Sequence, residues 1–365
     1  MESTTTTIIF FLFSIANFLS LPTPITAASS SPVTAVFAFG DSTLDSGNNN
    51  HLTTLCRSDH PPYGRDFPGQ VPSGRFSNGK LATDFMVSQL GLKDLLPAYL
   101  DPAVTDQDLM TGASFASGGS GLDDLTATES AVLTMSTQLQ YLEEALQRIE
   151  KTGGSGSAEA SHVVENALFF IAAGTNDMVF NFYGLPTRSI GYSLSGYLDF
   201  LLQKLESIIK RLYKMGARRF AVTGLPPIGC LPVLVTFGSV VPSPHMFQRV
   251  CVDQQNVDSQ AYNTKLEALT STLQSTLQGA KVAYNDVYNP ILDMITKPAK
   301  YGFEHTLEGC CGTGTLEVGP MCNAIDLTCS DPSKYLFWDA VHPTQAAYRF
   351  IAHNFMQTVL PRLVG

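Results

Sequence analysis

The sequence lacks an excess of positive charge. Its 22 Lys and Arg residues are outnumbered by 32 Asp and Glu residues, which gives a formal net charge of −10 at pH 7. No dense cluster of Lys and Arg occurs, and the pair Arg218 and Arg219 comes nearest to one. Nucleic acids and anionic membranes attract basic surfaces, so this charge distribution argues against both as partners.

Long apolar runs are also absent after the first 28 residues, so no later stretch is expected to span a bilayer. The run from Ile8 to Leu21 is shorter than the ~20 residues of a membrane-spanning helix, and small residues follow it around Ala27. We interpret residues 1–28 as a cleaved secretory signal peptide, with a membrane anchor as the alternative. The segment departs from the usual signal pattern because it carries Glu2 and no Lys or Arg. The protein is therefore expected outside the cell.

Cysteine usage fits such an oxidising compartment. The seven cysteines are Cys56, Cys230, Cys251, Cys310, Cys311, Cys322 and Cys329. The last four do not have the C-x₂₋₄-C spacing of zinc ligands, so we expect disulfides that fix a loop-rich C-terminal region. The odd number leaves at least one cysteine unpaired if the others form disulfides. The sequence has no N-x-[ST] glycosylation site.

Apolar runs of strand length alternate with helical patterns along the chain. Strands are predicted in 34–40, 167–174, 218–224 and 281–286, and a further one in “MTGASFASGGSG”. Helical patterns cover 193–215, 252–277 and 346–360, and “STQLQYLEEALQRIEK” predicts another helix with Ser136 as N-cap. This alternation predicts an α/β fold, a three-layer α/β/α sandwich with a mostly parallel central sheet. We expect a single domain over residues 33–365.

Three of these strands end in polar clusters, “FGDS”, “SGGSG” and “AGTND”. Ligands of open α/β sheets bind at the carboxyl ends of the strands, so the three clusters are candidates for one site. Ser42 in the first cluster is either a nucleophile or a small turn residue. Gly119 is either a turn glycine or a backbone N–H donor, and Asn176 is either an Asx-turn residue or an amide donor to an oxyanion.

A general base for Ser42 is suggested by “FWDAVHPT” near the end of the chain. Asp339 precedes His342 by three residues, a spacing that lets the carboxylate reach Nδ1 and leaves Nε2 for a serine. The alternative is an ordinary surface pair of Asp and His. The G-x-S-x-G elbow of α/β-hydrolases is absent from the sequence, which disfavours that family. The Pro- and Gly-rich stretch from Gly47 to Gly79 is predicted to be an irregular surface loop with a functional role.

Taken together, these motifs resemble the plant-type GDSL esterase/lipases of the SGNH hydrolase superfamily. The four blocks of that family occur in order as “FGDS”, “ASGGSG”, “GTND” and “DAVH”. The stretches “SGRFSNGK”, “RRFAVTGLPPIGCLP”, “CCGTG” and “YLFWDAVHPT” are also similar to it. The resemblance extends from about Val36 to the C-terminal helix and implies the flavodoxin-like SGNH hydrolase fold. Two residues depart from the pattern, Thr43 in place of the leucine of the family name and Ser114 in place of an asparagine.

The resemblance implies an acyl-enzyme mechanism without a metal or an organic cofactor. Ser42 would attack the ester carbonyl, with His342 as base and Asp339 orienting it. The N–H groups of Ser42 and Gly119 and the amide of Asn176 would bind the oxyanion. The substrate would be a small-molecule, lipid or cell-wall ester, and the location the cell wall or apoplast.

For the cysteines, the resemblance implies that Cys230 pairs with Cys251. Cys310 and Cys311 would pair with Cys322 and Cys329 in either order, which leaves Cys56 over.

Two other functions stay open at this point. An acyltransferase would use the same triad but pass the acyl group to an alcohol instead of water. A non-catalytic ligand- or wall-binding protein would use the same scaffold without chemistry. The asparagines of “SGNNN”, which follow Ser42, are interpreted as turn residues.

Overall fold

The fold is built on a parallel four-stranded sheet. The computed structural model describes residues 33–152, 157–241 and 245–365, so the predicted signal peptide lies outside the described residues. The strands are β1 (Val36–Gly40), β2 (Leu168–Ala172), β3 (Arg219–Thr223) and β4 (Lys281–Asn285), hydrogen-bonded in that order. Val36, Leu168, Arg219 and Lys281 stand opposite one another, so all four strands begin level and end level. The turns that follow the strands therefore meet at one edge of the sheet.

The strand predicted in “MTGASFASGGSG” is wrong as a full strand. Ser114 forms only isolated parallel bridges, one to Ala38 of β1 and one to Ala98. Its backbone N–H and carbonyl bond to Pro97 and Tyr99, so this segment divides its hydrogen bonds between two neighbours. In space it still lies beside β1, on the side away from β2. The segment around Ser114, second in the chain, thus lies on one side of β1, and β2 lies on the other. This is the flavodoxin-like order, with its switch point next to β1.

Helices cover both faces of the sheet. The α-helices among the described residues are α1 (Ala82–Gln89), α2 (Asp106–Leu109), α3 (Asp124–Glu129), α4 (Met135–Thr152), α5 (Ser157–Asn166), α6 (Leu194–Lys214), α7 (Pro232–Val240), α8 (Asp253–Thr276), α9 (Tyr288–Thr296), α10 (Gln345–Thr358) and α11 (Leu360–Val364). A π-helical segment, Asp177–Gly184, follows β2. The N-cap predicted for α4 is wrong, because Ser136 lies inside the helix. The hydroxyl of Thr134 instead accepts the N–H of Thr137 at 3.2 Å.

Alternate residues of each strand pack into different apolar clusters. Phe37, Phe39, Phe169 and Ile171 pack with residues of α4, α6 and α8, whereas Val36, Ala38, Phe170 and Ala172 pack with residues of α1, α10 and α11. Strand side chains alternate between the two faces of a sheet, so both faces are buried. This arrangement confirms the predicted three-layer α/β/α fold.

A small second sheet was not predicted from the sequence. Strands β5 (His305–Gly309) and β6 (Tyr335–Phe337) pair in parallel, and β6 leads directly to Asp339. The stretch between them is the cysteine-rich region. Its four cysteines, Cys310, Cys311, Cys322 and Cys329, form two disulfides.

Candidate active site

Ser42 lies in a tight turn directly after β1. Gly40 ends the strand at φ +140°, and a Cβ on it would lie 1.8 Å from the carbonyl oxygen of Ala172, so only glycine fits there. Oδ1 of Asp41 accepts both the N–H and the hydroxyl of Thr43, at 2.9 and 2.8 Å. Thr43, the departure from the family name, thus gives the turn a hydrogen bond that a leucine side chain could not make.

The structure brings Ser42, His342 and Asp339 together. Oγ of Ser42 lies 2.7 Å from Nε2 of His342, and Nδ1 of His342 lies 2.7 Å from Oδ2 of Asp339. Because an ionised carboxylate only accepts hydrogen bonds, Nδ1 donates to Asp339, and Nε2 accepts from the hydroxyl of Ser42. Oδ1 of Asp339 accepts the backbone N–H groups of Val341 and His342, at 2.8 and 2.7 Å. The three side chains are at most 7% exposed, so this pair of Asp and His is not an ordinary surface pair.

Ser42, Gly119 and Asn176 each carry an N–H group that has no acceptor among the described residues. In the turn after β1, the N–H groups of Asp41, Thr43, Leu44 and Asp45 all have acceptors. Among the described residues, the N–H groups of Ser42 and Gly119 have none. The amide of Asn176 donates to the carbonyl of Ser120 at 2.8 Å, and a second N–H remains on the same nitrogen. Gly119 has φ +86°, which glycine adopts without strain.

The asparagines of “SGNNN” are more than turn residues, which corrects the interpretation from the sequence. Asn48 and Asn49 are at most 1% exposed. The amide of Asn48 donates to the carbonyls of Ser114 and Ala116, at 2.9 and 2.8 Å. The amide of Asn49 donates to the carbonyl of Gly118 at 2.8 Å. These bonds connect the turn of Ser42 to the loop of Gly119. One of them is made to Ser114, the residue that replaces the asparagine of the family pattern.

Two further buried side chains brace the same region, and sequence reasoning missed both. Asp45 accepts the N–H groups of Gly47, Asn48 and Gly118, at 2.8, 2.6 and 2.9 Å. The amide of Gln138, on α4, forms two hydrogen bonds with the backbone of Gly40, at 2.8 and 2.9 Å. Burial raises the pKa of Asp45 to about 6, although the backbone hydrogen bonds oppose this shift.

Asp177, the last residue of “GTND”, connects the block of Asn176 to that of Gly119. It is fully buried and accepts the N–H groups of Leu122 and Asp123, at 2.8 and 3.0 Å, and the hydroxyl of Thr126 at 2.6 Å. Burial raises its pKa to about 6, against the effect of these hydrogen bonds. Hydrogen bonds to Asp177 therefore hold the “GTND” block against the residues that follow “SGGSG”.

The cysteine-rich region packs along the segment that carries Asp339. Disulfides join Cys310 to Cys329, Cys311 to Cys322 and Cys230 to Cys251, and Cys56 is free. The expected pairing is thereby confirmed and its order fixed. The backbone N–H of Cys311 donates to the carbonyl of Trp338 at 2.8 Å, and that of Ala340 donates to Glu317 at 2.8 Å.

The predicted surface loop from Gly47 to Gly79 is partly buried. Arg75 is 5% exposed and forms two hydrogen bonds of 2.8 Å with the carboxylate of Asp84, at the start of α1. Tyr63, at 1% exposure, donates to Oδ2 of Asp339 at 2.7 Å. The loop thus reaches the candidate triad, and the sequence motif “PPYG” gave no signal of that contact.

An apolar cavity of about 100 Å³ lies beside the turn of Ser42. Asp41 and Thr43, which flank Ser42 in the chain, line it together with Val341 and Pro343, which flank His342, whereas Ser42 and His342 themselves do not. Its other walls come from the ends of β2, β3 and β4 and from α9 and α10. Among the described residues, no group of three His, Cys, Asp or Glu side chains is arranged to hold a metal ion. No helix in that part of the chain is long and apolar enough to cross a membrane.

Comparison with known proteins identifies the family. The profile described as GDSL-like Lipase/Acylhydrolase matches residues 36–355. GDSL esterase/lipase At2g40250 of Arabidopsis thaliana is 54% identical over 338 residues, which is 92% of each chain. GDSL esterase/lipase At2g30310 of the same plant is 42% identical over 356 residues, 97% of each chain. The resemblance inferred from the four blocks is confirmed, and the chain belongs to the GDSL-like lipase/acylhydrolase family, a family of ester hydrolases.

Proposed function

We propose that this protein is a secreted serine ester hydrolase that works through an acyl-enzyme on Ser42. The observation that carries the proposal is the continuous chain of hydrogen bonds from Ser42 through His342 to Asp339, each 2.7 Å long. His342 takes the proton of the serine hydroxyl during attack and returns it to the leaving alcohol. Asp339 holds the imidazole in the productive tautomer and stabilises its protonated form.

The negative charge that develops on the carbonyl oxygen meets three donors. These are the N–H groups of Ser42 and Gly119, which have no acceptor among the described residues, and the amide of Asn176. Each donor of such a site contributes about 10²- to 10³-fold to the rate. Water then hydrolyses the acyl-enzyme, with His342 acting as base a second time.

The experiment that tests the proposal is labelling with a fluorophosphonate, a reagent that reacts with activated serines. The wild-type protein is expected to be labelled on Ser42, and Ser42→Ala to remain unlabelled and to lose at least ~10³-fold in kcat. Ser46→Ala is a matched control, because Ser46 is buried nearby and its hydroxyl has no hydrogen-bond partner among the described residues. Labelling that persists in Ser42→Ala would place the nucleophile elsewhere.

The acyltransferase alternative shares the acyl-enzyme and differs only in the acceptor. Measuring the partition of the acyl group between water and an added alcohol distinguishes the two activities. Hydrolysis alone at high alcohol concentration would exclude the transferase. Predominant transfer to the alcohol would replace the hydrolase assignment.

A further inference from the structure

Tyr63 contacts the carboxylate of Asp339 from a distant part of the chain. Its hydroxyl donates to Oδ2 of Asp339 at 2.7 Å and accepts the backbone N–H of Gly319 at 2.8 Å. Oδ2 is the same oxygen that faces Nδ1 of His342. Oδ2 of Asp339 therefore accepts two hydrogen bonds, and the hydroxyl of Tyr63 both donates one hydrogen bond and accepts one.

The ring of Tyr63 is held on several sides. It packs edge-on against Phe76 and Trp338, with ring centroids 6.0 and 6.4 Å away. Phe76 also contacts the ring of His342 at 4.9 Å between centroids. A side chain so enclosed has little freedom, so the position of its hydroxyl is fixed relative to the Asp–His pair.

The chemistry of this contact requires Tyr63 to remain protonated. Burial, and then the negative charge of Asp339, raise the pKa of Tyr63 well above its ordinary value. The phenol is therefore a permanent hydrogen-bond donor over the working range of an esterase. A donor to a carboxylate restricts its orientation and draws off part of its negative charge.

We propose that Tyr63 is a positioning residue for catalysis, which fixes the rotamer of Asp339 and reduces the negative charge on the carboxylate oxygen that faces His342. The inference rests on the proposed triad and adds a fourth residue that acts through Asp339. It also explains why the long loop before α1 is anchored against the cysteine-rich region, since the tyrosine joins Asp339 to Gly319.

The test is Tyr63→Phe, which removes only the hydroxyl. The kcat is expected to fall about 10- to 100-fold, the range that corresponds to a lost hydrogen bond to a charged group. KM should stay within about twofold, because Tyr63 is buried and does not line the cavity beside Ser42. The acid limb of the kcat/KM profile should move to higher pH, because the carboxylate then attracts the protonated imidazole more strongly. The other titratable groups near the pair, Asp41 and Tyr348, are unchanged in this variant.

A second substitution guards against an unfolded variant. Site-specific 3-fluorotyrosine at position 63 keeps the ring and the hydroxyl but makes the phenol a stronger donor, so the acid limb should move to lower pH. Tyr288→Phe is the matched control, since Tyr288 is 4% exposed and its hydroxyl bonds to Gln260, not to the triad. Its kcat and pH profile should match those of the wild type.

Two results would overturn the inference. One is a kcat of Tyr63→Phe within twofold of the wild type. The other is a loss of activity with no shift of the acid limb in either variant, which is what a merely structural role would give. Failure of the proposed function itself is distinguishable, because Ser42→Ala would then remain active.

Discussion

The Ser42 side and the His342 side of the candidate site are held by different interactions. On the Ser42 side, buried Asp45, Asn48, Gln138 and Asp177 hydrogen-bond to the backbone of the segments that carry the proposed oxyanion donors. On the His342 side, the segment with Asp339 lies against a loop closed by two disulfides. In the proposed mechanism the first side must direct two backbone N–H groups and one side-chain amide at one point, whereas the second must hold one side-chain pair. The difference predicts distinct sensitivities to substitution, reduction and pH.

The largest effect is expected on the Ser42 side, from Asp45→Ala. This change leaves three buried backbone N–H groups without an acceptor, each at a cost of about 1–3 kcal/mol. We expect several kcal/mol of lost unfolding free energy in urea and a fall in kcat of at least ~100-fold. Asp101→Ala, at an exposed aspartate, is the control. An Asp45→Ala variant as stable as this control would show that the carboxylate does not hold the two loops together.

Gly119→Ala is expected to have the next largest effect, mainly on activity. A Cβ there would lie 3.1 Å from Sγ of Cys56 and from Cβ of Ser130, on a backbone with φ +86°. Crowding and the strained φ are expected to displace the Gly119 N–H, so kcat should fall about 100-fold. Gly91→Ala, also at positive φ but with open space around it, controls for the backbone strain. Equal kcat in the two variants would exclude Gly119 as an oxyanion donor.

On the His342 side, removing a disulfide is expected to lower kcat by less than Gly119→Ala does. The double variants Cys311→Ala/Cys322→Ala and Cys230→Ala/Cys251→Ala open loops of 11 and 21 residues. Because the entropy of the unfolded chain grows only with the logarithm of loop length, each should lose about 3 kcal/mol of stability. The first frees the loop that bonds to Trp338, whereas the second leaves that loop closed, so the first should have the larger fall in kcat, about 10-fold. Stability is measured by urea unfolding. Equal kcat losses in both would contradict a special role for the Cys311–Cys322 bridge.

The smallest expected effect is a pH dependence of opposite sign on the two sides. The folded-state pKa values of Asp45 and Asp177, about 6, lie above the ordinary 3.8, so their stabilising contribution is complete below pH 3.8 and is lost as pH rises to 6. On the His342 side, partial burial raises the pKa of Glu317, but hydrogen bonds from Thr313 and neighbouring N–H groups outweigh it and lower this pKa to about 2. Its contribution is complete above pH 4.5 and is lost as pH falls toward 2.

Urea unfolding as a function of pH checks both signs. Asp177→Asn should flatten the decline in unfolding free energy between pH 4 and 6. Glu317→Gln should flatten the decline below pH 4.5. If both variants changed the same limb, the two sides would not titrate separately.

The sequence predicted the fold and the chemical groups better than it predicted their support. Strand runs, helix periods and the four blocks are local patterns, so β1 to β4 and the candidate residues Ser42, Asp339 and His342 could be predicted. The contacts of Tyr63, Gln138 and Asn48 join residues far apart in the chain, and no local pattern encodes them. The missing strand at Ser114 has the same origin, since its backbone groups are shared with the segment at Pro97.

The most direct test of the account is to trap the acyl-enzyme. The protein is mixed with p-nitrophenyl acetate, quenched in acid within the first turnover and digested, and the peptides are weighed by mass spectrometry. The account predicts one added acetyl group on Ser42 and none on this peptide in His342→Ala. Acetylation of another residue, with Ser42 unmodified while turnover continues, would contradict it.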